Sequence, residues 1–257
     1  MLNGAIVWIT GASSGIGAKT AALLAERGAI PVLTGRNERK LKEHAARIGE
    51  GCSYYVMDVT DGHQVEATAV AIVARYGRID ILLNNAGYGE FSPFEDMPIE
   101  RFQAMMETNY MGIVRCAKAA LPFMQRQGGG HIVNIASMAG KFASAKSSAY
   151  SATKHAVLGL TNAMRMELRP QGIHVSAVNP GPIDTEFFAL ADPEGHYVNN
   201  IKWFMMKPDY VARCIVRVME RKRAELDLPK AAGIGMKLYG LFPRIADRLF
   251  GGLLNRK

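Results

Sequence analysis

Ala5-Ile-Val-Trp-Ile-Thr10-Gly11-Ala-Ser-Ser-Gly15-Ile-Gly17 is an apolar run of strand length that breaks into a glycine-rich turn. A helical pattern follows to Gly28, carried by Ala18, Ala21, Ala22, Leu24 and Ala25. Strand, glycine turn and helix in this order form the context that a dinucleotide-binding turn requires. The glycines allow a tight turn and close approach of backbone to a pyrophosphate. The helix N-terminus supplies free N–H groups and the positive end of its dipole. The spacing is T-G-x-x-x-G-x-G rather than G-x-G-x-x-G, and a glycine-rich loop alone is also compatible with a plain turn.

Working outward, strand-like runs recur at 5–10, 29–34, 53–57, 79–84, 131–136, 173–178 and, more weakly, 225–228. Helical patterns fill the gaps near 15–27, 37–48, 62–76, 99–127, 147–170 and 208–222. This alternation predicts an α/β protein built on a doubly wound parallel sheet with helices on both faces. Ligands of such sheets bind beyond the C-terminal strand ends. A length of 257 residues suits one such domain or two small ones. No Pro/Gly/Ser-rich linker, repeat or low-complexity tract divides it. Met1-Leu-Asn-Gly4 lacks a basic start and Thr10-Gly11 interrupts the first apolar run, so no secretory signal is expected. No stretch reaches the roughly 18 uncharged apolar residues of a membrane span. Cys52, Cys116 and Cys214 are scattered and in no C-x-x-C motif, and read as small core residues of a reduced, cytoplasmic protein.

Tyr150-Ser-Ala-Thr-Lys154 places a phenol and an ammonium one turn apart on a helix face, with Ser137 upstream. A phenol has a reference pKa of about 10, and bringing it to about 7 needs roughly 4 kcal/mol of differential stabilisation. A nearby ammonium favours the phenolate, and with a bound cationic nicotinamide it shares that task. Taken alone, Y-x-x-x-K is also the pattern of a surface pair.

Gly11/Gly15/Gly17, Asn84-Asn85-Ala86-Gly87, Asn109, Ser137, Tyr150/Lys154 and Asn179-Pro180-Gly181 occur in the order and spacing of the short-chain dehydrogenase/reductase family. The chain resembles that family over roughly residues 3–229. The resemblance implies a Rossmann-type catalytic domain over 1–230 with a seven-stranded parallel sheet, a nicotinamide dinucleotide cofactor, and interconversion of an alcohol and a carbonyl. It assigns Gly11, Ser13, Ser14, Gly15, Ile16 and Gly17 to the cofactor, and Asp58-Val59 to its adenine, with a helix cap before Asp61 as the plainer role of Asp58. Asn85, Ala86 and Gly87 would steady the central sheet and pack against the cofactor. Pro180, Gly181 and Ile183 would hold the nicotinamide face, and Thr185 would reach the carboxamide or pyrophosphate.

The second strand, Pro31-Val-Leu-Thr34, ends in Gly35-Arg36-Asn37. An acidic residue there would accept bonds from a ribose 2′-hydroxyl, whereas a guanidinium suits a 2′-phosphate. Arg36 therefore predicts NADP(H) in preference to NAD(H), which is also what the resemblance implies. Arg39 and Lys40 either add charge or lie on the solvated face of the next helix.

By the same resemblance Asn109, Ser137, Tyr150 and Lys154 form a catalytic tetrad. Tyr150 would donate a proton to the carbonyl oxygen while hydride reaches its carbon. Ser137 would supply a second hydrogen bond to the developing alkoxide. Lys154 would bind the nicotinamide ribose, in contact with the cofactor like Tyr150, and lower the phenol's pKa. Asn109, inside the long helix, would position a water linking Lys154 to solvent. His155 points about 100° away around the helix and reads as packing. The remaining histidines are isolated, and no metal-ligand cluster exists.

Residues 184–207 form the expected substrate lid, dense in Phe187, Phe188, Leu190, Tyr197, Trp203, Phe204, Met205 and Met206. Tyr88, Phe91, Phe94, Met138 and Phe142 are candidates for the same cleft. Such apolar density in a loop needs something to cover: an apolar, long-chain or ring-bearing carbonyl substrate, or the lid itself or a neighbouring subunit.

The net charge is +8, unevenly spread. From Lys207 onward there are twelve Lys/Arg and five Asp/Glu, a balance of +7. In the basic extension 231–257, Leu238, Leu241, Phe242, Ile245, Leu249 and Leu253 follow helical spacing, with Pro243 suited to starting a helix. It reads either as docking on protein or as peripheral contact with an anionic membrane. Nucleic acid is not expected, since no recognition motif accompanies the charge. Three readings follow: a carbonyl reductase or alcohol dehydrogenase, an NADPH-binding scaffold or sensor, and a membrane-peripheral interaction protein. The family pairs its two long helices into dimers or tetramers; Ala117, Ala119, Ala120, Ala152, Ala156 and Leu160 are the small or apolar residues on them here.

Overall fold

The computed structural model describes residues 2–230, so the predicted basic extension lies outside the described residues. β1 (Ile6–Thr10), β2 (Ile30–Gly35), β3 (Ser53–Val56), β4 (Ile81–Asn84), β5 (Gly130–Ile135), β6 (Ile173–Pro180) and β7 (Glu225–Leu228) form one sheet in the order β3-β2-β1-β4-β5-β6-β7. Every neighbouring pair is parallel. This is the doubly wound parallel sheet that the alternation of elements predicts, of the seven-stranded Rossmann type that the family resemblance implies. The strand order reverses between β1 and β4, so the crevice for a ligand opens at their C-terminal ends.

Side chains of a strand alternate between faces, and each face here has its own core. Val7 and Ile9 join Leu33, Leu83, Val133 and Val178 under α1 (Gly15–Ala25) and α2 (Glu38–Ile48). Ile6 and Trp8 join Val32, Leu82, Ile132 and Val175 under α3 (Gly62–Tyr76). Trp8 is fully buried, and its indole N–H is satisfied by Thr34 Oγ1 at 3.1 Å.

The long helix expected over 99–127 is interrupted. α4 (Ile99–Met106) and α5 (Gly112–Arg126) are joined by a π-helical turn, Glu107–Met111, with Asn109 at its centre. Hydrophobic period does not reveal a one-residue widening, and π turns concentrate at functional sites. α6 (Ser148–Leu168) carries Tyr150 and Lys154. The lid is part helical, as α7 (Phe187–Ala191) and α8 (His196–Ile201), before α9 (Pro208–Arg221) returns to the α1 face. Among the described residues no helix is long and apolar enough to cross a membrane.

Candidate active site

At the end of β1 the chain turns through Gly11 and Gly15 with φ of 64° and 57°, a region that favours glycine. A Cβ on Gly11 would stand 2.8 Å from the Ala86 Cα, and one on Gly17 2.5 Å from both Asn85 Nδ2 and the Gly11 carbonyl oxygen. Ser14 is the N-cap of α1 but makes no side-chain cap bond. The first N–H groups of α1 are therefore left to a ligand, at the positive end of the helix dipole. This bare backbone cradle fits the pyrophosphate of a dinucleotide.

One cleft of about 1620 Å³ opens here, larger than the roughly 300–1,000 Å³ of a single small-molecule site. It is lined by Gly11, Ser13, Ser14, Gly15, Ile16, Arg36, Asp58, Val59, Asn85, Ala86, Gly87, Ser137, Tyr150, Lys154, Pro180, Gly181, Ile183 and Thr185. Two predicted site residues stand behind it. Gly17 is buried where α1 meets Asn85, and Asn109 lies fully buried in the π turn.

Arg36 stands at the mouth with its side chain 81% exposed, Nη1 3.9 Å from Asp58 Oδ2. The other Asp58 oxygen accepts from the backbone N–H and hydroxyl of Thr60 at 2.9 and 2.8 Å. The cap of α3 is Asp61 itself, accepting from the Gln64 N–H at 3.1 Å, so Asp58 closes a local turn instead of capping. Arg39 pairs with Glu43 on the solvated face. Lys40 is also at the surface, where its Nζ reaches Glu186 at 2.8 Å and so ties α2 to the lid.

Buried amides support the floor. Asn85 Nδ2 donates to the carbonyls of Thr10 and Gly11, both at 3.0 Å, while Thr10 Oγ1 accepts from the N–H groups of Asn85 and Ala86. Asn84 Nδ2 donates to Asn134 Oδ1 across β4 and β5 at 2.9 Å. Asn109 clamps the backbone of Tyr88, its Oδ1 accepting at 2.9 Å and its Nδ2 donating at 2.8 Å, and Nδ2 also donates to Thr153 Oγ1 at 3.1 Å. Both amide N–H bonds are thus engaged. Asn109 holds loop to helix, a role that its mid-helix position did not disclose.

Ser137 follows β5 and caps the short turn Met138–Gly140, its Oγ accepting from the Ala139 N–H at 3.1 Å. That Oγ also lies 3.3 Å from the Pro180 carbonyl oxygen and hydrogen-bonds the Tyr150 phenol. Burial pushes the Tyr150 pKa up to about 12, against the opposing pull of the Ser137 bond. Burial pulls Lys154 down to about 8. Lys154 is not among the groups that act on the phenol here. Its Nζ is drawn back onto the Ile135 carbonyl at 2.9 Å and stands 5.8 Å from the Tyr150 ring centre. With its pKa raised in this way, the Tyr150 phenol stays in its neutral form near pH 7. His155 is exposed, its ring nitrogen 2.8 Å from the Ser151 carbonyl and outside the cleft.

The short chain dehydrogenase family model matches residues 5–194. The chain belongs to the short-chain dehydrogenase/reductase family. An uncharacterized oxidoreductase of Staphylococcus haemolyticus is 39% identical over 192 residues, which cover 74% of this chain and 83% of that protein. A solved short-chain dehydrogenase from Streptomyces avermitilis matches with a TM-score of 0.83 at 28% identity, over 98% of this chain and 97% of its own. An actinorhodin polyketide ketoreductase variant solved with NADPH gives 0.79 at 30% identity, over 88% of this chain and 95% of its own. Oxidoreductase chemistry and a nicotinamide cofactor come with the family.

In this short-chain dehydrogenase/reductase the wall above Tyr150 is aromatic. Phe187 and Phe91 stand 5.6 and 6.1 Å from the Tyr150 ring, and Phe188 and Tyr197 extend the cluster. Leu190, Trp203 and Phe204 also line the cleft, as do Tyr88, Met138 and Phe142. Phe94 does not; it is 72% exposed and packs on Phe102 instead. Met205 packs within the lid cluster, and Met206 against the main core. The lid thus covers both itself and the cleft. Two contributors escaped the sequence reading. Thr153 accepts from Asn109 and donates to the Tyr150 carbonyl at 2.8 Å. A Cβ on Gly89 would meet Phe187 Cζ at 2.6 Å, so its lack of a side chain makes room for the aromatic wall. The Tyr-Lys spacing brackets Thr153, but nothing local marks Gly89. Among the described residues no group of His, Cys, Asp and Glu could hold a metal.

Proposed function

We propose that this protein is an NADP(H)-dependent oxidoreductase that interconverts an alcohol with a ketone or aldehyde, acting on an apolar substrate. The observation that carries the reading is Tyr150 at the foot of an aromatic wall, with Ser137 and Lys154 beside it in the same cleft as the uncapped α1 turn. When bound in that cleft, a reduced nicotinamide supplies hydride to the substrate carbonyl carbon. Tyr150 donates its proton to the carbonyl oxygen, and the product is the alcohol. Ser137 turns its hydroxyl from the long 3.3 Å contact with Pro180 onto the developing alkoxide, a donor of the oxyanion-hole kind. Lys154 spends one N–H bond on Ile135 and has two left for ribose hydroxyls. The aromatic wall excludes water and selects apolar carbonyls. Arg36, exposed at the mouth beside Asp58, is the cation for a 2′-phosphate.

The chain is also expected to pair with a copy of itself through α5 and α6. Of the residues predicted for that contact, Ala117 and Ala120 are buried in their own core, whereas Ala152 is exposed and carries the expectation. Titration with NADPH and NADH, followed by NADPH oxidation with benzil and with acetoin, tests the reading. Tight NADPH binding with turnover of benzil supports it. Turnover of acetoin alone rejects the apolar substrate.

A further inference from the structure

The catalytic scheme leaves unused a compact charge cluster beside the Ser137 turn. Lys141 Nζ lies 2.6 and 2.7 Å from the two oxygens of Asp227 and 2.6 Å from Glu225 Oε1. The Lys141 and Asp227 side chains are only 19% and 13% exposed. Asn179, fully buried, donates through Nδ2 to Glu225 Oε1 and to Asp227 Oδ1, both at 2.7 Å. Glu225 and Asp227 are alternate residues of β7 and share a face, so one cation and one amide answer two neighbouring carboxylates.

Desolvation makes a half-buried ionic cluster a costly source of stability, whereas it fixes geometry well. Both of its ends reach the reacting groups. Asn179 precedes Pro180, whose carbonyl oxygen contacts Ser137 Oγ. Lys141 follows the Met138–Gly140 turn, and its N–H donates to the Met138 carbonyl at 2.9 Å. On the opposite side the turn rests against α6, where a Cβ on Gly140 would meet the Lys154 carbonyl oxygen at 2.6 Å. The path closes on itself: Ser137, Pro180, Asn179, the β7 carboxylates, Lys141, the turn, and Ser137 again.

We propose that Lys141 is a positioning residue, which, anchored between Glu225 and Asp227, holds the Met138–Gly140 turn so that Ser137 is aimed at the substrate oxygen. The inference rests on the role given to Ser137 above. It is tested on the full chain with Lys141→Met, Lys141→Arg and Asp227→Asn, alone and combined with Ser137→Ala.

Lys141→Met lowers kcat with benzil and NADPH at least tenfold and leaves the NADPH dissociation constant within twofold. Lys141→Arg recovers most of the loss. In the Ser137→Ala background the further loss is twofold or less, the non-additivity expected of residues acting as one unit. Losses that multiply, or a Lys141→Arg no better than the methionine variant, overturn the positioning role. If Ser137→Ala costs no activity, it is the catalytic reading that fails. Hydrogen exchange at the Ala139 amide, which donates to Ser137 Oγ, reads the turn without any substrate. Exchange at least tenfold faster in Lys141→Met, or in Asp227→Asn should the methionine variant fail to fold, supports the proposal. Unchanged protection overturns it.

Discussion

Arg36→Ala should weaken NADPH binding by about 5- to 30-fold while leaving NADH within twofold. A hydrogen bond to a charged group contributes about 1.5–3 kcal/mol, but the Arg36 side chain is 81% exposed. Screening at such a site reduces the contribution to about 1–2 kcal/mol, and about 1.4 kcal/mol is a tenfold change in affinity. Asp58 adjusts the sum. Its Oδ2 is 3.9 Å from the guanidinium, a distance worth about 1 kcal/mol in water. Turning from Asp58 to a phosphate costs part of that in the native chain. Once Arg36 is gone, the bare carboxylate repels the phosphate by a similar amount, so the loss falls toward the upper end of the range. Fluorescence titration of both cofactors at low and high ionic strength is the assay, and the preference for NADPH should shrink with salt. Equal loss of both cofactors, or none for NADPH, would refute the assignment of the guanidinium to the 2′-phosphate.

Three further outcomes follow from the same geometry. Tyr150→Phe removes the proton donor but not the ring packed against Phe187, so turnover should fall by about 10²-fold or more with NADPH affinity unchanged; retained turnover would dismiss Tyr150 as the acid. Gly17→Ala forces a Cβ to within 2.5 Å of Asn85 Nδ2 and the Gly11 oxygen, and should cost about 1–3 kcal/mol together with NADPH affinity, whereas Gly62→Ala, with nothing within 4 Å, should cost neither. His131 is held down to about 3 by burial, then by the charges of His174 and Lys222. Its folded pKa is below the unfolded value of about 6.5, so the unfolded chain takes up protons first, and stability should fall from about pH 6.5 toward pH 3 by up to about 1.4 kcal/mol per unit. Urea unfolding of the native chain and of His131→Gln across that interval checks the sign; equal slopes would remove His131 from the acid response.

The sheet was legible because most strands announce themselves twice, by an apolar run and by the turn that ends it; β7, Glu225-Leu-Asp-Leu228, is the weak one. β1 ends at Gly11, β2 at Gly35-Arg36, β4 at Asn84-Asn85 and β5 at Ser137, and each such end is one side of the cleft. What the pattern of residues does not carry is how side chains are shared between distant segments. The family resemblance gives Asn109 a water to position; only the packing of the π turn against Tyr88 and Thr153 shows both its amide N–H bonds engaged. Lys40 looked solvated because its helix face is polar, yet Glu186, 146 residues away, draws it across to the lid. Lys141, Glu225 and Asp227 are unremarkable as letters and become a unit only when β7 joins β6.

The phenol illustrates the same divide in energetic terms. A Tyr-Lys pair at this spacing suggests a depressed phenol pKa, because distance along a helix is all that a sequence supplies. Burial is not written in the spacing, and here it acts on both partners: it raises Tyr150 to about 12 and lowers Lys154 to about 8. Near neutral pH the phenol is thus held protonated, the form from which carbonyl reduction starts. Removing a proton from an alcohol demands the phenolate, which needs a positive charge beside it. Lys154 is held on Ile135, 5.8 Å from the ring centre, so the oxidative direction should depend on the oxidised cofactor's own charge far more than the reductive one. An alcohol-oxidation rate limited by a group titrating well above neutrality, beside a carbonyl-reduction rate nearly flat from about pH 6 to 8, is the kinetic form of that asymmetry. Matching pH profiles in the two directions would mean that the phenol is tuned by the protein alone.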